Sequence, residues 1–125
     1  VLDEAPSFPQ VDGPIDGLVY SVGTIQLKPF RQLKIEDFLK DLHLNFLGAI
    51  KTIQYYIPNL LLAERASVVG FSTVAVEQGM TYHASIASAK GALEGLFRSL
   101  AAEYCPKVRF NLIAPSLTDT PLAAN

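Results

Sequence analysis

The chain has 125 residues, half of them hydrophobic and 18% charged, with a formal net charge of −2. That length and apolar content suit one small globular domain with its own core and exclude a disordered chain. A charge this close to zero excludes electrostatic binding of nucleic acid or an anionic membrane surface.

Cys105 is the single cysteine, so no intramolecular disulfide forms and a reducing compartment fits. It stands beside Pro106 at a predicted helix end and reads as a packing residue rather than a nucleophile. Asp3, Glu4 and Pro6 interrupt any apolar run at the start, so the opening does not read as a signal peptide. The apolar run Leu60–Leu62 is too short to span a bilayer. The expectation is a cytoplasmic domain with no membrane partner, no nucleic-acid partner and no metal site.

Val1 to Pro14, with three prolines, reads as a loop with a strand end at Val1–Leu2. Ile15 to Tyr20 is a short, β-leaning apolar run and predicts a buried strand that Gly23 closes. From Ile35 to Arg65 the apolar residues Phe38, Leu39, Leu42, Phe46, Leu47, Ile50, Ile53 and Ile57 recur at helical steps. Glu36 and Asp37 fall in the first turn, where the helix dipole favours acids. Pro58 is expected to bend or restart this helix. Ser67 to Thr73 predicts a second strand and Tyr82 to Tyr104 a second long helix. That helix is rich in small residues at Ala84, Ser85, Ala87, Ser88, Ala89, Gly91 and Ala92, which permit close approach to a neighbour. Val108 to Ala114 predicts a third strand, ended by Pro115.

Strands alternating with long helices predict an α/β fold: a doubly wound, Rossmann-like parallel sheet, here present only in part, with residues 1–125 as one partial domain. Apolar strand runs without alternation predict burial on both sheet faces. Ligands of such sheets bind outside the carboxyl ends of the strands, which singles out Ser21–Thr24, Thr73–Met80 and Pro115–Pro121.

In this order five segments line up with a known pattern. They are Tyr20-Ser21-Val22-Gly23, Asn45 with the following Phe-Leu-Gly, Phe71-Ser72-Thr73, Ala87 to Leu93 around Lys90, and Asn111 to Pro121. Asn45 and Thr73 are 28 residues apart, Thr73 and Ile86 are 13 apart, and Ile86 and Lys90 four apart. The chain resembles a short-chain dehydrogenase/reductase over nearly its whole length.

The resemblance implies an oxidoreductase that moves a hydride between NAD or NADP and a small carbonyl or alcohol substrate. It implies Asn45, Thr73 and Lys90 as catalytic residues, with Thr73 standing where the family has serine. Ser72 is set aside because successive strand side chains point to opposite faces. Ser21, Gly23, Lys90, Pro115, Thr118 and Thr120 are implied as cofactor-binding. Ser116 stands where the family has glycine, so that turn is expected to be distorted. Asp3 falls where an acid helps to hold adenine. The two long helices are implied as the interface of a homodimer or homotetramer.

The pattern also fails in two places. Ile86 occupies the position of the catalytic tyrosine and cannot transfer a proton. Tyr82, four residues earlier, is the first-ranked substitute, on the expectation that it lies one helical turn before Ile86. His83 follows, seven residues before Lys90, the spacing of the enoyl-reductase branch, and histidine exchanges protons near neutral pH. The remaining alternative is a non-catalytic relative that serves binding or oligomerisation. The second departure is that no segment matches the family's glycine-rich phosphate turn. A three-strand sheet would leave edges and faces open, so the chain is expected to be part of a longer protein.

Overall fold

The structure, a computed structural model, describes residues 7–121. The expected strand end at Val1–Leu2 and the adenine-side Asp3 lie outside the described residues. Three strands, β1 (Gly17–Tyr20), β2 (Ala66–Phe71) and β3 (Val108–Ile113), form one parallel sheet in the order β1-β2-β3. Parallel neighbours need a crossover. The first crossover is α1 (Ile35–Leu42), a π turn over His43–Leu47, and α2 (Gly48–Leu62). The second is the short α3 (Ala75–Gln78) followed by α4 (Ala84–Tyr104). The partial Rossmann-like α/β architecture is thus the one expected from the alternation of elements.

Details of the elements differ. The long helix runs through Pro58 as part of α2, and its irregularity lies earlier, at His43–Leu47. The second long helix starts at Ala84 rather than Tyr82, because Tyr82 adopts the left-handed conformation with φ +67°. An L-residue in that conformation cannot continue a right-handed helix. Cys105 is exposed rather than packed, since the chain leaves α4 at that point and turns outward. Asp37 accepts a hydrogen bond from the Lys34 backbone N–H at 3.0 Å and so caps α1. Among the described residues no helix is long and apolar enough to cross a membrane.

Strand register decides where the core sits. Leu18, Val68 and Phe110 lie side by side, as do Tyr20, Gly70 and Leu112. This parity meets Ile53 and Leu60 of α2 and Leu93 and Phe97 of α4 in one apolar cluster. The opposite parity carries Val19, Val69 and Asn111, and Val19 is 62% exposed. Burial on both faces is therefore not observed. The strands are apolar at both parities, but the described helices pack against one.

Gly70 is the tightest point of that packing. A Cβ there would stand 2.8 Å from Leu112 Cδ2 and 2.9 Å from Phe97 Cζ. The Phe97 ring, edge-on to Phe110 at a centroid distance of 5.8 Å, occupies the space a side chain would need. Gly70→Ala is therefore expected to destabilise the fold by about 1–3 kcal/mol through overpacking. Urea denaturation of the full-length protein measures it, and an unchanged midpoint would contradict this packing.

Candidate functional site

The site begins with a helix wound too loosely. At the π turn the Gly48 backbone N–H reaches back five residues to His43 O. The Tyr20 hydroxyl of β1 donates to Leu44 O at 2.5 Å. Burial pushes that hydroxyl above its ordinary pKa, which keeps it a donor. The contact exists because residue 48 is glycine: a Cβ there would collide with the Tyr20 hydroxyl oxygen. Such turns recur at functional sites because they re-aim side chains.

Asn45 is the side chain re-aimed here. It is fully buried, and its Nδ2 donates to Asp41 O at 3.0 Å and to Thr24 Oγ1 at 3.4 Å. Its Oδ1 is buried with no hydrogen-bond partner. A Cβ on Gly23 would stand 2.7 Å from that oxygen and 3.5 Å from Lys90 Nζ. The bare backbone at Gly23 therefore lets two polar groups from two helices come together beside the end of β1.

Lys90, on α4, donates from Nζ to Phe71 O at 2.7 Å, which holds it across the end of β2. Asp41 lies behind, 1% exposed, with Oδ1 accepting from Thr24 at 3.1 Å and Oδ2 from Ser85 at 2.6 Å. Burial pushes the Lys90 ammonium below the ordinary lysine pKa, and the Asp41 charge opposes part of that fall. Sequence reading placed Thr24 in a ligand-side segment and Ser85 among small helix residues, but missed Asp41 and the cluster that joins the three. The available signal was Asp41 lying four residues, about one helical turn, before Asn45.

Gly23, Thr24, Asn45 and Lys90 form one wall of a cavity of about 500 Å³ at the carboxyl ends of the strands, with Asp41 and Ser85 behind it. Thr73 lines it from the end of β2, its Oγ1 accepting from the Ala75 N–H at 3.2 Å. The Ser72 hydroxyl is instead directed to Glu94, at 2.5 Å. The loop after β3 is stitched to the same rim, with Val74 N donating to Pro115 O at 3.1 Å. Pro115, Thr118 and Thr120 line the cavity, as do Ser21 and Gly23. Ser116 does not take a positive φ, so the loop has settled into a conformation that serine accepts.

Of the sequence-derived residues, Asn45, Thr73 and Lys90 are thus brought together with Ser21, Gly23, Pro115, Thr118 and Thr120. Tyr82 is not among the residues lining the cavity. It is 53% exposed and lies before α4, off the face that carries Ile86 and Lys90. His83 and Ile86 do line the cavity.

The family model described as enoyl-(acyl carrier protein) reductase matches residues 8–125. The chain belongs to the short-chain dehydrogenase/reductase family. It is 32% identical over 113 residues to carbonyl reductase family member 4 of Danio rerio, covering 90% of this chain and 47% of that protein. It is 31% identical over 112 residues to L-xylulose reductase of Bos taurus, covering 88% of this chain and 46% of that protein. Its fold is similar, with a TM-score of 0.84 and 27% identity, to a short-chain dehydrogenase of Shigella flexneri 2a str. 301 complexed with NADP. That match covers 89% of this chain and 47% of the other. The chain spans about half the length of the curated relatives it matches.

The burial of Lys90 has a pH signature. A lysine whose folded pKa is depressed binds fewer protons than the unfolded chain between that pKa and the ordinary lysine value, so stability rises with pH across this window. Lys90 is expected to titrate below an ordinary lysine. Asp41→Asn is expected to lower it further by removing the opposing charge. Side-chain NMR of labelled lysines reads both, and an upward move in Asp41→Asn would refute the assignment.

Proposed function

We propose that this chain supplies the nicotinamide and substrate end of an NAD- or NADP-dependent oxidoreductase acting on a small carbonyl or alcohol. The observation that carries the reading is the meeting of Lys90 Nζ and Asn45 Oδ1 at the bare Gly23, facing Thr73 across one cavity. An unpartnered buried oxygen beside a space that a Cβ would fill fits a flat, polar cofactor end. The reported NADP complex of the Shigella flexneri relative supports the same choice of cofactor.

On this reading residues 1–125 act as one partial nucleotide-binding domain, and a bound nicotinamide supplies or takes the hydride. Lys90 presents a cation, steered by Phe71 O, to the ribose hydroxyls. Ser21 and Gly23 give a close backbone approach, while Pro115, Thr118 and Thr120 hold the far side. Thr73 presents a hydroxyl to the substrate oxygen, serine's role with one added methyl. Asn45, anchored to Asp41 O, keeps a polar atom at the inner wall, where it would order a proton-relay water. The exposed apolar side chains Leu39, Leu44 and Tyr55 support pairing of the long helices with those of a second copy. The single thiol supports a cytoplasmic setting.

A second reading is favoured by one observation: Ile86 lines the cavity where the family has its tyrosine. That reading is a relative that binds cofactor without turnover. Titration of the full-length protein with NADH and NADPH, followed by a carbonyl panel, separates the two. Oxidation of the cofactor supports the enzyme, binding without oxidation supports the second reading, and no binding overturns both. Lys90→Ala is expected to weaken cofactor affinity about 10–100-fold, the effect of one charged hydrogen bond. Unchanged affinity would remove Lys90 from the cofactor site.

A further inference from the structure

We infer that His83 is the proton-transferring residue of this site, in the place left by Ile86. The inference rests on the oxidoreductase reading above and adds the residue that reading lacks.

His83, Ile86 and Lys90 line the same cavity. His83 is the residue before α4, three residues before Ile86 and seven before Lys90, so the start of the helix brings it to the cavity wall that those two line. The ring is held in a defined state. Nδ1 lies 2.7 Å from Thr81 O, and a carbonyl only accepts, so Nδ1 carries a hydrogen. Nε2 remains for chemistry. The backbone is fixed on both sides: His83 N–H donates to Met80 O at 3.2 Å, and His83 O accepts from the Ala87 N–H at 2.8 Å. His83 is thus the N-cap of α4, and the helix carries the ring at its cavity end.

An imidazole exchanges protons near neutral pH without a cationic neighbour, which a phenol does not. The cation of Lys90, seven residues on, is then unnecessary for acidity and is left to the ribose. In reduction, His83 gives its Nε2 proton to the substrate oxygen as the carbonyl carbon receives a hydride from the reduced nicotinamide. The C=O π pair becomes the new O–H bond, the Nε2–H bond breaks, the carbonyl is reduced to the alcohol and the nicotinamide is oxidised. The neutral imidazole keeps its Nδ1–H on Thr81 O and regains the Nε2 proton from solvent. Alcohol oxidation runs the same transfers backwards.

The test uses full-length protein. His83→Asn keeps a donor where Nδ1 sits, and asparagine is a good N-cap, so the helix start is preserved. It has nothing at Nε2. Turnover of His83→Asn is expected to fall at least ~100-fold, the usual contribution of a general acid, with NADPH affinity within threefold of wild type. Added imidazole is expected to restore part of the rate in His83→Ala. Independently of turnover, a non-reducible amide isostere of the carbonyl is expected to shift the Nε2 resonance of ¹⁵N-labelled His83. Turnover of His83→Asn within threefold of wild type, or an unmoved Nε2 resonance with the isostere bound, overturns the assignment alone. So does loss of the rate in Tyr82→Phe but not in His83→Asn. A wild type that neither binds nor oxidises a nicotinamide overturns the assignment and the reading beneath it.

Discussion

Two side-chain bonds to main-chain carbonyls, one in a π turn and one just before it, organise the site. At His43–Leu47 the backbone widens. The Tyr20 hydroxyl takes up Leu44 O from the sheet side, and the Asn45 amide takes up Asp41 O. Both are main-chain acceptors that would be costly to bury unpaired. Satisfying them fixes the helix to β1 and turns Asn45 inward, so its remaining oxygen is delivered to the end of the sheet. The polar atom at the inner wall of the cavity is thus a consequence of helix geometry.

Glycines make that geometry fit. Gly48 admits the Tyr20 hydroxyl, Gly23 admits Asn45 Oδ1 and Lys90 Nζ, and Gly70 admits the Phe97 ring. Each removes a Cβ where a strand, or the loop after β1, meets a helix closely. The parallel register then brings the ends of β1, β2 and β3 to one edge, where the following loops converge. Thr73, Lys90 and Thr118 are far apart in sequence and neighbours around one cavity for that reason.

Behind this wall lies a second polar layer. Asp41 is buried with a full set of local partners in Thr24 and Ser85, and its charge reaches Lys90. Burial works against the Lys90 cation while Asp41 supports it, and a charge held between those opposing effects is one that an anionic or hydroxyl-rich ligand can stabilise. Ile86, beside this layer, brings no acid to the cavity. His83 brings an ionisable nitrogen to the same cavity from the residue before α4.

The alternation of apolar runs and helical periods was enough to read the order of elements, the parallel sheet and the loops that carry the site. Those features follow from local spacing, and Asn45, Thr73, Lys90, Thr118 and Thr120, singled out by a family-like spacing, all line one cavity. Spacing does not reveal where a helix starts when a residue just ahead of it turns left-handed. For that reason Tyr82, one helical turn from Ile86 by count, stands outside the cavity while His83 stands inside it. Nor does it reveal a π turn, since His43–Leu47 keeps a helical apolar rhythm and Pro58, the visible irregularity, sits in an unbroken helix. The sequence by itself determined which residues are apolar, which are polar and how far apart they lie along the chain. Only the tertiary structure decided which polar groups meet, because burial, strand parity and the missing Cβ atoms act between segments that no local count connects.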